Sequence, residues 1–319
     1  MQKYVTRRLL LAVPTLIGLT LMIFAIMRVL PGDPLVAYLD PNQMVAMSEE
    51  QLAAIRKDHG LDRPLVVQYA DWMGDVLNGS FGNAMFGAKA PVINTIKNRG
   101  VTSAEIGIIA VAISWIIGLP VGIISAIRPG SFLDMFTSFT TVLFLAIPGF
   151  WLALLIVLAT VTYWGYVPPR VGVPLWEDPW NHFQIVIFPA TVMGVAMAAI
   201  IARMARSSLF EVLREDYVRT ARSKGMRESI TIIRHALPNA LMPVLTLSGV
   251  MLGFALGGSV AVEVAFQTPG LGRSMSDAAI LRDMTTVQSL VLVYGIVFVL
   301  ANLLVDLLYG WIDPRIRLG

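Results

Sequence analysis

The sequence predicts an all-α integral membrane protein with six spanning helices, and three observations lead there. Apolar residues make up 56% of the 319 positions and charged residues only 14%, a balance that ordinary soluble domains of this length do not show. Six stretches of about twenty or more residues lack charge, the length a helix needs to cross a bilayer core. The basic side chains fall in short clusters between those stretches, so nucleic-acid binding is a poor explanation for the net charge of +3. No cysteine is present, which excludes disulfides and Cys-based metal or nucleophile chemistry.

The first span lies between Arg8 and Arg28. Lys3, Arg7 and Arg8 before an apolar run imitate a secretory signal, but the run is too long and "RVLPGDP" lacks a small-residue cleavage site, so residues 1–30 read as a retained helix. Residues 31–100 form a mixed-charge extracytoplasmic segment with two short amphipathic helices. In "SEEQLAAIRKDHG", Ser48 and Gln51 have capping-box spacing and Gly60 stands where a helix stops. In "PLVVQYADWMGDVLNG", Pro64 opens a helix whose apolar face is Val66, Tyr69, Ala70, Met73, Val76 and Leu77. Two readings of the pair stand, a structural cap over the bundle and a docking platform for an external partner.

Residues 101–319 form the core. The second span runs from Glu105 to Arg128, and the third begins after Asp134 and stays uncharged as far as Arg170. The fourth runs from His182 to Arg203, the fifth from His235 to Glu263, and the sixth from Asp283 to Asp306. "IPGFW" at 147–151 and "GFALGGS" at 253–259 permit close helix packing, and Pro148 can bend the third span. Bends and small residues of this kind suit helix packing or a bundle that opens and closes.

Orientation follows from the Lys and Arg of the short loops, which favour the cytoplasm. Lys3, Arg7 and Arg8 put the N-terminus inside. With six spans, Arg128, the cluster from Arg203 to Arg234, and Arg315 with Arg317 then also fall inside.

That cluster is the most polar stretch of the chain and includes "EDYVRTARSKGMRESITIIRHALPN". From Leu209 to Lys224, the apolar positions Leu209, Val212, Leu213, Tyr217, Val218 and Ala221 recur at helical spacing, which predicts one helix ended by Gly225. A second helix runs through "RESITIIRHAL" to Pro238. An ordinary positive-inside loop explains the arginines but not the helical periodicity. Residues 205–238 therefore read as a compact knob offered to a cytosolic protein.

At these residues the chain resembles the inner-membrane permease subunits of binding-protein-dependent ABC importers, in the dipeptide, oligopeptide and nickel branch. Ala221, Gly225, Leu237 and Pro238 match the spacing of that family's coupling loop, whereas Arg219 and Thr220 replace its first two residues and His235 replaces its Ile. "DYVRTARSKG" and "RHALPNALMPVLT" are similar to the peptide branch's own version. So are "RRLLLAVPTLIGLTLMIFAIMRVLPGDP", "GLDRPLVVQY", "EVAFQTPGLG" and "LANLLVDLLYGWIDPRIRLG". Two departures are Glu105 in "VTSAEIG", at the membrane interface or facing another subunit, and Thr285, where the family commonly has Pro.

The resemblance implies a type I importer bundle in a bacterial inner membrane, multi-pass, with both termini cytoplasmic. It implies a homologous second permease, two ATP-binding subunits that carry ATP and Mg, and an extracytoplasmic solute-binding protein that delivers peptides, or alternatively nickel or another small solute. It further implies Tyr217, Ala221 and Gly225 as the core that docks on an ATPase subunit, with Arg219 and Arg222 as peripheral charge partners. The residues agree on one negative: no phosphate-binding G-x-x-x-x-G-K-[ST] loop is present, so hydrolysis belongs to a separate chain and this one is expected to be no enzyme and to bind no cofactor. His59, His182 and His235 make no metal cluster by spacing. The rival class is an ion- or proton-coupled secondary transporter, for which Glu263 and Asp306 are the available carboxylates.

Overall fold

A computed structural model describes residues 2–29, 48–86 and 89–312. The expectations that rest on Arg315, Arg317, the side chain of Asp306 and residues 31–47 fall outside the described parts. The described chain is almost entirely helical. Helices α1 (Gln2–Val29), α2 (Glu49–Asp58) and α3 (Leu65–Leu77) precede the long α4 (Val92–Ile127). Then come α5 (Phe132–Ala146), α6 (Gly149–Trp164), α7 (Pro179–Val212) and the short α8 (Asp216–Ser223). After a turn at Glu228–Ile230 and a π-helical turn at Thr231–Ala236, α9 (Leu237–Phe266), α10 (Leu271–Ile280) and α11 (Met284–Ile312) complete the chain.

Five described helices are long and apolar enough to cross a membrane: α1, α4, α7, the Glu228–Ala255 stretch and α11. The third expected span is not one rod. It is α5 and α6, bent by 92° at a break of two residues, a broken span or a re-entrant hairpin; taken as one span, the pair brings the number to six. Pro148 is the cause: it removes a backbone donor and pushes Ile147 out of the helical region, to φ −82° and ψ 120°.

The second span departs in the other direction. It was expected from Glu105, but α4 starts at Val92, so the boundary drawn at residue 100 falls inside an unbroken helix. Its 36 residues extend ~54 Å, well beyond a bilayer core of ~30 Å. Charge spacing reports where apolar surroundings begin, whereas backbone hydrogen bonding continues into the polar region. For the same reason α7 runs past Arg203 to Val212.

The centre of the bundle is the pair α4 and α7, which run side by side in the same direction. Gly118 lies against the Ala198 carbonyl and Ile201, Gly122 against the Ala202 carbonyl and Ala205, and Gly194 against Ile113 and the Ala110 carbonyl. A β-carbon at any of the three would meet these atoms at 3.0 Å or less, so the backbones approach only because glycine is there. Ile106, Ala110, Val192, Ile201, Val244 and Met251 fill the core around that contact.

Two polar contacts pin the pair at its ends. At one end, Glu105 of α4 reaches His182 of α7, with Oε2 2.7 Å from Nε2, so this departure from the family pattern faces its own chain. The other ring nitrogen of His182 donates to the Val173 carbonyl at 2.8 Å. At the other end, Arg206 of α7 donates Nε and Nη2 to the Asp134 carboxylate of α5 at 2.8 and 3.0 Å, and Ser125 of α4 bonds to the same carboxylate.

The two short helices after α1 form as expected at their termini. Ser48 and Gln51 make a reciprocal capping box, and Gly60 adopts φ +64°. The buried face of α3 differs from expectation, because Val66 and Leu77 are exposed whereas Trp72, absent from the expected face, is buried. Trp72 Nε1 donates to Ser289 of α11 at 2.9 Å, and Ser289 donates to the Phe81 carbonyl at 2.7 Å. Tyr69 meets Thr20 and Phe24 of α1. The face is chosen by the docking of α3 between α1 and α11, and the indole hydrogen bond permits a large polar-tipped ring to be buried.

The close approach predicts that Gly122→Leu destabilises the purified chain by about 1–3 kcal/mol through overpacking. Thermal unfolding in detergent would show it as a clear fall in midpoint. Gly257→Leu, where a β-carbon meets nothing within 4 Å, serves as the control and leaves the midpoint unchanged.

Candidate functional site

The knob between α7 and α9 is built by three local events. First, the single helix expected from Leu209 to Lys224 is broken. Helix α7 ends at Val212, and Glu215 adopts an extended φ −66° and ψ 149° before α8 starts at Asp216. A straight continuation would have carried Val218 and Ala221 away from the bundle. The turn folds them back: Val218 packs with Ala126, Leu209, Ala236 and Ala240, and Ala221 is buried as well.

Second, α8 ends at Gly225 as the sequence predicts. Gly225 adopts φ +75°, its N–H donates to the Arg222 carbonyl at 2.9 Å, and the Met226 N–H donates to the Ala221 carbonyl at 3.4 Å. This paired closure needs a left-handed residue, which glycine supplies without steric penalty.

Third, the chain does not stop at Pro238. The turn at Glu228–Ile230 passes into the π-helical turn and on into α9 without a break, so Pro238 lies inside a continuous helical path, and the wider π turn just before it accommodates the missing N–H. The knob thus runs into α9 without a break and is joined to α7 by the short turn at 213–215.

The structure sorts the five expected docking residues into two groups. Tyr217 is 42% exposed, and its hydroxyl accepts from Asn239 Nδ2 at 2.8 Å, tying α8 to the start of α9. Arg219 is exposed and lies 3.7 Å from the equally exposed Asp216, a weak pair that leaves its charge available. Gly225 is exposed at the tip. Ala221 was expected in the docking core but is 6% exposed and faces this chain's own core. Its small side chain lets α8 lie close to the bundle.

Arg222, expected at the periphery, is a brace. Nε and Nη2 donate to the two Glu228 oxygens at 3.0 and 2.6 Å, and Nη1 donates to the Leu213 carbonyl at 3.3 Å. The hydrogen bonds and charge of Glu228 hold the Arg222 pKa above its ordinary value. The sequence reading passed over Glu228 and Asn239. Their signal was present, since Glu228 stands across the Gly225 turn from Arg222 and Asn239 follows the Leu237–Pro238 step, but only the fold of the knob gives them partners.

Glu263 belongs to the opposite end of the molecule. It is fully buried and accepts from Ser103 and Ser259 hydroxyls at 2.8 Å and from the Arg273 N–H at 3.1 Å. Ser103 Oγ accepts in turn from the Leu271 N–H at 2.8 Å. Gly270 and Gly272 pack against the same carboxylate, where a β-carbon would collide. Glu263 therefore anchors the "QTPGLG" turn and the start of α10 to α4. Among the described residues, no group of three or more His, Cys, Asp or Glu is arranged to hold a metal ion.

The comparisons with known proteins agree with this architecture. The family described as binding-protein-dependent transport system inner membrane component matches residues 118–318, and its N-terminal component matches residues 1–104. The oligopeptide transport system permease protein AppB of Bacillus subtilis (strain 168) is 36% identical over 320 residues, covering 99% of this chain and 100% of the relative. The glutathione transport system permease protein GsiC of Pectobacterium atrosepticum is 38% identical over 320 residues, covering 99% of both chains. The dipeptide transport system permease protein DppB of Escherichia coli (strain K12) is 36% identical over 340 residues, again covering 99% of both. Among solved structures, an inward-facing MetNI methionine ABC transporter chain aligns with a TM-score of 0.58 at 19% identity, over 70% of this chain and 98% of that one. At that identity it speaks to the fold alone.

The brace and the turn make separate predictions. Glu228→Gln removes an exposed ion pair of about 0.5–1 kcal/mol, so amide hydrogen exchange across residues 216–228 should rise about two- to fivefold. Gly225→Ala imposes ~1 kcal/mol of left-handed strain and should raise exchange in the same segment by a similar factor. Unchanged exchange in both variants would show that the knob is rigid without them.

Proposed function

The chain belongs to the family of binding-protein-dependent transport system inner membrane components, and on that premise we propose that it is the permease subunit of an ATP-driven peptide importer. It forms half of a translocation path with a homologous second permease, receives di- or oligopeptides from an extracytoplasmic solute-binding protein, and docks on ATP-binding subunits. ATP and Mg reside on those subunits. This chain contributes no catalytic group and binds no cofactor. The peptide class rests on the names of its relatives, which include oligopeptide, dipeptide and glutathione permeases. Nickel or another small solute is the alternative within the same reading.

The observation that carries the mechanism is the knob. It is compact, braced internally, packed by Val218 against Leu209 of α7 and Ala240 of α9, and joined to both helices by short connections, so a force applied to α8 bears on both. Docking uses the exposed Tyr217, Arg219 and Gly225, while Ala221 and Arg222 preserve the shape that is docked. The basic residues of the knob, with Lys3, Arg7 and Arg8, support cytoplasmic placement of the knob and of both termini. The segment between α1 and α4 then lies outside, where it caps the bundle and offers the surface nearest an arriving binding protein.

Secondary transport is less well supported. Glu263 uses both carboxylate oxygens as acceptors that hold a turn, a structural role that accounts for its burial without a passing ion.

The deciding experiment is binding-protein-stimulated ATP hydrolysis by the complex in lipid, formed by co-expression with the partner subunits. Gly225→Pro cannot adopt φ +75° and lacks the N–H that closes the turn, and Ala221→Asp puts a carboxylate at a buried position of α8. Both variants should lose stimulation while inserting normally, whereas Arg219→Gln should reduce it only about twofold. Vesicle transport driven by a proton or sodium gradient without ATP would refute the importer reading.

A further inference from the structure

A groove between α4, α5 and α7 has no part in the mechanism above. It lies at the helix ends that carry Arg203 and Arg206, and it has two connected parts. The part nearer those ends is a cavity of about 230 Å³ lined by Ser125, Ser138, Arg203 and Arg206. The part toward Ile117 is a cavity of about 150 Å³ lined by Ile117, Phe136, Phe144, Val195 and Ala199. Val121, Thr137, Thr141 and Ala202 border both, so a cationic, hydroxyl-bearing end, the mouth, adjoins an apolar, open-sided one. From Ser125 to Ile117 along α4 the distance is ~12 Å, enough for a substantial length of acyl chain.

The charges of the mouth discriminate between ligands. Arg206 is neutralised by the bidentate Asp134 carboxylate, which also binds Ser125. Arg203, one turn earlier on α7, is exposed and makes no ion pair or hydrogen bond among the described residues. The mouth therefore carries one uncompensated positive charge, with hydroxyls at Ser138 and Thr141 beside it. A single anionic phosphodiester matches this. A zwitterionic phosphoethanolamine head would add an ammonium where the nearby carboxylate is already engaged. The exposed Phe132, Phe136, Phe139 and Val142 of α5 continue the apolar surface around the opening, as a bilayer environment requires.

We propose that this groove is a specific site for one anionic phospholipid of the inner leaflet, its phosphate on Arg203 and the Ser138 and Thr141 hydroxyls, and one acyl chain between α4, α5 and α7. The proposal rests on the orientation given above, which puts Arg203 at the cytoplasmic face. The bound headgroup ties α5 to α7 where α7 enters the knob, so lipid composition bears on the lever itself.

The test is native mass spectrometry of the intact complex, released from nanodiscs of phosphatidylethanolamine with phosphatidylglycerol. Wild type should retain one phosphatidylglycerol after other lipids have left. Arg203→Gln should lower that retention about fivefold, Arg203→Lys should keep most of it, and Ala199→Leu, which fills the apolar part without altering charge, should lower it as well. Arg214→Gln, a basic residue outside the groove, should match wild type. Equal retention by wild type and Arg203→Gln overturns the proposal. So does displacement of the lipid by inorganic phosphate that binds wild type and Ala199→Leu alike, because the groove is then an anion site only. Occupation of the groove by the second permease, seen as photocross-linking from a maleimide–benzophenone reagent on Thr141→Cys, the one thiol of this cysteine-free chain, overturns it too. Orientation is read separately, by labelling Ser223→Cys with an impermeant maleimide in inside-out vesicles. Lipid retention is measured without ATP, so failure of the importer reading and failure of the lipid site are distinguishable.

Discussion

The close approach of α4 to α7 is the contact on which the rest of the bundle depends. Helices in an apolar medium gain little from burying more apolar surface, so they associate through close packing and polar contacts. Gly118, Gly122 and Gly194 bring the two backbones together along the length of the core, and each end of the pair is pinned by a polar contact. Glu105 and His182 hold one end, and Ser125 with Arg206 and Asp134 holds the other. The second clamp also recruits α5, which otherwise presents large apolar side chains outward. The Asp134 carboxylate is buried while Arg206 stays half exposed, so the pair adds little net stability but fixes register, because removing the arginine strands the carboxylate in a poorly solvated place.

From that spine the two ends of the molecule acquire different characters. At one end α7 leaves the core still helical, turns at Glu215 and lays α8 back over the ends of α4, α7 and α9. The knob has an apolar underside and a polar outside, so it can be stiff while remaining exposed. Its stiffness comes from short-range devices: the left-handed Gly225, the Arg222–Glu228 fork and the Tyr217–Asn239 hydrogen bond. A lever for an ATP-driven machine has to move as one body, and a loop held only by charge would not transmit force.

At the opposite end, polar groups act as structural fasteners. The buried carboxylate of Glu263 collects two hydroxyl donors and a backbone N–H, and so fixes the turn into α10. Asp283 likewise accepts from the Met85 N–H and the Thr286 hydroxyl, joining the segment after α3 to the start of α11. Arg28 at the end of α1 lies over the Phe24 ring and donates to Gln68 of α3. Helix α3 and residues 81–86 after it are thus bolted to α1 and α11.

Much of this architecture was legible in the residues alone. Uncharged runs of bilayer length marked the spans, the Ser48–Gln51 pair marked a helix start, and Gly225 marked the end of α8, because these signals act over a few residues. Pro148 announced a break in the third span by removing one donor, but the 92° angle depends on what each half packs against. The periodicity of Leu209 to Lys224 was real and its division at Glu215 was not visible, since a turn that keeps the same residues buried leaves the pattern intact. The buried face of α3, the inward placement of Ala221 and the partners of Glu105, Asp134 and Glu263 were decided only by tertiary structure. Each of those carboxylates is paired with a residue 72 to 160 positions away, and no local pattern encodes a contact that forms only when two distant helices have already been brought side by side.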